Sequence, residues 1–201
     1  MLEEMLADAA ENEETLTSVS ADSEELCYVN AANTDLCKVN ITNCRFENCC
    51  FSGASFTDCI LSGCTFTGCD FSGAYFHGTR LSDCSANGCV FTKALFRRAE
   101  ITGGFYKYAN FSDCCFENTE IAGADLSESA LIQAKLKKTA FSGADLHKAD
   151  ILACSFKGVD LSDCDISGIL LSENLRELRG AKINTIQAAQ LIRLLDIEVI
   201  I

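Results

Sequence analysis

The chain contains no proline among its 201 residues. Proline lacks a backbone N–H and interrupts hydrogen-bonded ladders, so its absence leaves every residue able to pair along the main chain. The fourteen cysteines include no Cys-x-x-Cys pair, which removes the spacing of zinc and redox motifs. Histidine is scarce: His77 and His147 are the only two. No HExxH, phosphate-binding loop or nucleophile elbow occurs. No catalytic, metal-ligating or cofactor-binding residue stands out, so the chain reads as a non-enzyme that needs no cofactor. Met1 to Glu14 carries neither a basic residue nor a long apolar run, unlike a secretory signal, and nothing approaches a membrane span. Unpaired cysteines in such number favour a reducing compartment, hence the cytoplasm.

What is present is a period of five. From Leu26 to Leu171 an apolar residue occupies every fifth position thirty times, and twenty-seven of these are Leu, Ile or Phe. Ala31, Ala86 and Tyr106 are the others. Two residues earlier sits a small side chain in all but two units, Glu24 and Ile169 being the exceptions. A helix needs a period near 3.6 and a strand a period of two. A period of five fits a chain that turns a corner every five residues, placing one large and one small side chain inside each time. Four corners close a square coil of twenty residues, and coils can stack at strand spacing, roughly 4.8 Å. Such a repeat array buries one continuous core.

The units CRFEN, CTFTG, CDFSG, ANFSD, ADLSE and ADLHK resemble those of pentapeptide repeat proteins. The resemblance implies an all-β solenoid, a right-handed quadrilateral β-helix, over residues 24–173. The chain then divides into an acidic N-terminal segment, 1–23, either a helical cap or disordered; the β-helix, 24–173; and a C-terminal helix and tail, 174–201, serving as cap and dimer contact. Eleven glycines sit two residues after a central apolar residue, at a corner where freedom in φ is useful. Ten cysteines (44, 49, 59, 64, 69, 84, 89, 114, 154 and 164) fall at the small inward position, where a free thiol acts as a small hydrophobe.

Folding the sequence at period twenty sorts the net charge of −13 by face. We name each face by one central residue. The Phe46 face has seven acids and three bases, the Phe51 face four and one, and the Leu61 face five and one. The Phe56 face reverses this with three acids against seven bases, among them Arg97, Arg98, Lys135, Lys137, Lys138 and Lys157. Solvated acids keep a rod soluble. They can also imitate nucleic acid, which carries one negative charge per roughly 1.7 Å of duplex axis. Direct nucleic-acid binding is disfavoured by the net charge. Asp83, Glu100, Glu120, Asp125, Asp145 and Asp163 are the candidate partner-binding residues on the acidic faces.

After Leu171 the pattern stops. Ser172 to Leu178 reads as a short helix, and Thr185 to Leu195 as an amphipathic helix with Asn184 or Thr185 as its N-cap. The segment LRGAKINTIQAAQLIRLLDIEVI, with CSANGCVFTKALF and YANFSDCCFENTEI, is similar to the quinolone-resistance (Qnr-type) group of pentapeptide repeat proteins. That resemblance implies a head-to-head homodimer, an acidic rod that mimics B-form DNA, binds DNA gyrase and topoisomerase IV, and protects them from quinolones or toxins. It makes Leu191, Leu194, Leu195, Ile197 and Val199 the dimerisation candidates. No loop interrupts the register between Leu26 and Leu171, a likeness to the loop-free members. The alternative is a general interaction scaffold whose unrelated partner docks on the basic Phe56 face.

Overall fold

A three-residue strand with one inward side chain buries little by itself, and its backbone is satisfied only when copies stack. The computed structural model describes residues 1–195 and shows this stacking as a right-handed square solenoid. On the Phe56 face, Thr15–Thr17, Asp35–Cys37, Ser55–Thr57, Tyr75–His77, Leu95–Arg97, Cys115–Glu117 and Lys135–Lys137 form one seven-stranded parallel sheet. The Leu61 face is a second, from Ser20–Asp22 to Ala140–Ser142. The Phe46 face begins as strands and continues from Ser85 as single bridges closed by turns; the Phe51 face is built of such bridges throughout. Register is held at twenty residues, as in Phe56↔Phe76, Phe76↔Phe96 and Phe96↔Phe116.

Phenylalanines stack upon phenylalanines along the core. Ring centroids on the Phe56 face lie 4.9, 4.7 and 4.9 Å apart from Phe56 to Phe116, and on the Phe51 face 5.1, 4.9 and 4.8 Å from Phe51 to Phe111. The small inward residues do more than fill space. Cys59, Cys64, Cys84 and Cys89 each donate a thiol hydrogen to the carbonyl of a central residue twenty-three positions earlier, on the adjoining face of the previous coil, at 3.4 Å. Thr79, Thr119 and Thr139 use the same position, at 2.7, 3.0 and 3.0 Å. Serving as a weak donor explains why Cys and Thr alternate here with Ala. Burial pushes the thiols of Cys114 and Cys154 up to about 12 and that of Cys89 to about 11.

The corners adopt left-handed φ. Gly63 (61°) and Gly78 (61°) do so freely, yet Asn43 (53°), Asp58 (52°), Asp83 (52°) and Lys38 (54°) take the same conformation. Asn and Asp tolerate it because their short polar side chains bond locally. At the Phe46 face the core changes composition: Ala86 is followed by a fully buried Tyr106. Gly104 occupies the small inward position before Tyr106, and a Cβ there would collide with the Cys84 carbonyl.

The N-terminal segment contains more regular structure than residues 24–173 alone would allow. Helix α1 spans Leu2–Asn12 and buries Leu2, Leu6 and Ala9 against the first coil, as the spacing of its apolar residues requires. The Leu2 amide donates to Glu24 Oε2 at 2.8 Å. The coil itself begins at Thr15, with Leu16 and Ala21 in central positions paired to Leu36 and Ile41. The boundary after residue 23 therefore moves to the α1–coil junction. Glu14 stands where later units have a small side chain and is exposed to solvent, just after the end of α1.

At the other end residues 177–182 continue the ladder without the five-residue pattern. Phe156 N donates to Glu177 O (2.8 Å), Gly158 N to Gly180 O (2.9 Å) and Leu161 N to Lys182 O (2.9 Å). The short helix is a single 3-10 turn, Arg176–Leu178. Helix α2, Thr185–Arg193, has Asn184 as N-cap in a capping box with Gln187. Gln187 Nε2 then donates to the Leu161 and Cys164 carbonyls, both at 2.8 Å, sealing the last coil. Glu177 is buried at 1 % exposure. Burial opposes its charge, but bonds from Ser172 (2.6 Å), the Ala153 amide (3.0 Å) and Arg176 (3.2 Å) overcome this and hold it at about 2.

Candidate acidic interaction faces

The six nominated acids lie on two neighbouring faces either side of one corner. Glu100 and Glu120 are adjacent rungs of the Leu61 face, in register with each other. Asp83 and Asp163 sit at the corner leading from that face to the Phe46 face, both exposed. Asp125 and Asp145 are consecutive bridges of the Phe46 face. Asp165 continues that column, a residue the sequence reading passed over although 125, 145 and 165 keep the twenty-residue spacing.

The column is held by its own backbone. Each aspartate accepts the amide two residues on: Ser127 N to Asp125 Oδ1 (2.9 Å), His147 N to Asp145 Oδ1 (2.8 Å) and Ser167 N to Asp165 Oδ1 (2.8 Å). These Asx turns close the bridge-and-turn corners. The side chain and amide of Ser167 hold Asp165 below the usual carboxylate range. Asp125 and Asp145 thus have a structural role as well as charge, and both are half-buried. Glu100 is tied to Arg80 Nε at 2.9 Å, whereas Glu120 forms no ion pair among the described residues. Asp163 Oδ2 accepts from Ser142 Oγ at 3.1 Å. Glu128 is drawn below its ordinary value by Lys107, 3.1 Å away.

Three exposed aromatics share the Phe46 face with the column, Tyr28 near its start and two beside the acids. Phe105 is the rung directly before Asp125 and is 58 % exposed; Tyr108 is also 58 % exposed and accompanies Lys107. The signal for Phe105 was in the sequence, as a large apolar residue at a solvent position. His147 Nδ1 lies 2.7 Å from Ser167 Oγ, a donor–acceptor pair on an open surface. No His/Cys/Asp/Glu group with metal-holding geometry occurs among the described residues, and no described helix is long and apolar enough to cross a membrane.

Of the dimerisation candidates, Leu191 is buried within the chain, Leu194 and Leu195 are 56 % and 43 % exposed, and Ile197 and Val199 lie outside the described residues. Ile186 (71 %) adds to the exposed apolar surface of α2.

The family model for pentapeptide repeats matches eight copies over residues 25–58, 49–85, 74–104 and 124–163, more than half of the chain. The chain belongs to the pentapeptide repeat family. Among solved structures it is similar to a trypsin-treated variant of QnrB1, a plasmid-mediated fluoroquinolone resistance protein: 22 % identity over 89 % of this chain and 99 % of that one, with a TM-score of 0.53. It is also similar to HetL, a pentapeptide repeat protein involved in heterocyst differentiation regulation from the cyanobacterium Nostoc, at 16 % identity over 83 % and 87 % of the two chains and a TM-score of 0.35. At 22 % identity the likeness to the QnrB1 variant is one of fold alone. No curated protein sequence matches the chain.

Proposed function

We propose that this pentapeptide repeat protein is a non-enzymatic DNA mimic that binds a type II topoisomerase, DNA gyrase or topoisomerase IV, in the cytoplasm and confers quinolone or toxin resistance. The observation that carries the reading is the grouping of acids on the Leu61 and Phe46 faces. Glu100 and Glu120 form one two-rung column and Asp125, Asp145 and Asp165 another. Rungs rise about 4.8 Å each, against about 3.4 Å of helix axis per phosphate of one DNA strand. The columns therefore approach phosphate spacing without reaching it. The Qnr-type resemblance of the C-terminal segment supports the same partner and a head-to-head homodimer through α2, with Leu194 and Leu195 exposed for it.

The test is a gyrase supercoiling assay titrated with this protein, with and without a fluoroquinolone. Rescue of supercoiling in the drug's presence is the expected result, and Glu120→Lys with Asp83→Lys abolishes it. Neither residue closes an Asx turn or bridges two coils, and Lys38 already takes the corner conformation of Asp83, so the reversal leaves the fold intact. Rescue that survives the double reversal removes the acidic faces from the mechanism. The second reading, a scaffold for an unrelated partner, draws on Lys135, Lys137 and Lys138, which form no ion pairs among the described residues.

A further inference from the structure

The backbone ladder is open at one step. Between the sixth and seventh rungs of the Phe56 and Leu61 faces it is complete: Lys135 N donates to Cys114 O (2.8 Å), Asn118 N to Lys137 O (2.8 Å), Ala140 N to Thr119 O (3.0 Å) and Gly123 N to Ser142 O (2.8 Å). One coil later the equivalents do not form. Ser155 N does not reach Ala134 O, nor Lys138 N Lys157 O, nor Asp160 N Thr139 O, nor Gly143 N Ser162 O, and both sheets end at 135–137 and 140–142. The same two coils remain paired on the other faces, by Asp165 N to Ala144 O (3.0 Å) and Leu170 N to Ala149 O (2.9 Å). The step is a wedge, hinged along the Phe46 and Phe51 faces.

On the Leu61 side the wedge is bridged by Ser142 and Asp163 (3.1 Å) and filled by Phe141 against Phe156 (5.5 Å). On the Phe56 side it stays open as a cleft of about 470 Å³ whose walls include Lys135, Leu136, Ser155 and Lys157. Leu136 is half-buried there, while the other central residues of this face are fully buried. The strand Lys135–Lys137 presents an edge with the Leu136 and Lys138 amides and the Ala134 carbonyl unpaired among the described residues. An unpaired edge is a template for another strand. Lys135, Lys137, Lys138 and Lys157 surround it and form no ion pairs among the described residues. Glu117, the carboxylate in register with Lys137, is turned to Arg97 at 3.5 Å.

We propose that this cleft is a peptide-binding site in which a short, extended, acidic segment of a partner protein adds as a strand along Lys135–Lys138. Main-chain bonds supply the affinity and the four lysines select the charge. The site is separate from the acidic faces and does not depend on the topoisomerase reading.

The probe is a fluorescein-labelled acetyl-Glu-Val-Glu-Val-Glu amide titrated into the full chain, followed by anisotropy and by amide hydrogen exchange. Saturable binding is expected, with exchange at the Leu136 and Lys138 amides slowed at least about tenfold and affinity reduced at least about tenfold in Lys135→Glu/Lys137→Glu. Lys157→Glu on the opposite, exposed lip gives the same result if the double variant folds poorly. An N-methylated peptide of the same charge should not bind. Equal binding of that peptide overturns strand addition in favour of charge alone. No binding at all overturns the proposal. So does finding Leu136 and Lys138 already as protected in the free chain as Phe116 and Asn118, or protected only until residues 196–201 are removed, which would make the chain's own tail the occupant.

Discussion

From Phe56 to Phe116 the core of the Phe56 face is four parallel rings less than 5 Å apart, and every rung is hydrogen-bonded to the next. After Phe116 the stack meets Leu136, and beyond Leu136 the rungs part. Phe156, the next residue in the column, tilts toward Phe141 instead. The two regions have the same repeat, the same small inward residues and the same coil length. They differ in whether a ring has a ring to lie on. A ring stack accompanies an intact ladder but is not required for one, since Leu16, Leu36 and Phe56 pair without it; at Leu136 the end of the stack coincides with the parting of the rungs. On its other side the last coil keeps its ladder, with residues 177–182.

The comparison breaks most visibly by truncation. Phe76→Ala removes a fully buried ring between two others and should cost about 3–5 kcal/mol. Leu136→Ala at the open step should cost half of that or less, both read from urea midpoints. Equal losses would mean that the wedge is closed in solution. Glu177→Gln tests the cap that closes the far side of the last coil. Leaving its buried partners short of an acceptor should cost about 1–3 kcal/mol and loosen the cap. Glu177 has a folded-state value of about 2, below its ordinary 4.5. Its stabilisation is therefore full above pH 4.5 and lost as pH falls toward 2. Acid titration of the wild type should show this loss, and the glutamine variant should lack it.

Leu136→Phe sharpens the contrast from the other side. It extends the ring column and should stabilise the chain by about 1 kcal/mol, with slower amide exchange at Lys138. Thr119→Val removes the hydroxyl donated to the Phe96 carbonyl (3.0 Å) and should cost about 1 kcal/mol in the well-stacked region. The smallest effect belongs to the surface. A double-mutant cycle on Arg80 and Glu100, 60 % and 51 % exposed, should give a coupling below about 1 kcal/mol that shrinks in salt.

Much of the solenoid was legible because its cause is local and repeated: a large and a small inward residue every five positions leave one way to turn. The ends were less so. Leu16 and Ala21 keep the period, but Glu14 in the small position hid the first unit, because at the junction with α1 that position is exposed rather than inward. The donor role of Cys59 or Cys84 was invisible because a thiol and a methyl look alike in a hydrophobic pattern, and the carbonyl that distinguishes them lies twenty-three residues away. The open step left no break in the period at all, as Ala134-Lys135-Leu136 and Cys154-Ser155-Phe156 are both regular units. Its one trace was a leucine between Phe116 and Phe156, an ambiguous sign because Leu36 in the same column keeps its pairing. On the acidic faces, spacing placed the carboxylates by face, but did not show that Asp125 and Asp145 hold their own turns or that Asp163 at the corner is tied to Ser142.

A square coil also fixes how the chain can change length. Removing twenty residues shortens the rod by one storey and leaves every face where it was. Removing five turns everything downstream through a quarter rotation, so that the Asp125–Asp145–Asp165 column would continue a different wall. Where a rod meets its partner along one side, indels in multiples of twenty conserve the surface and single-repeat indels scramble it.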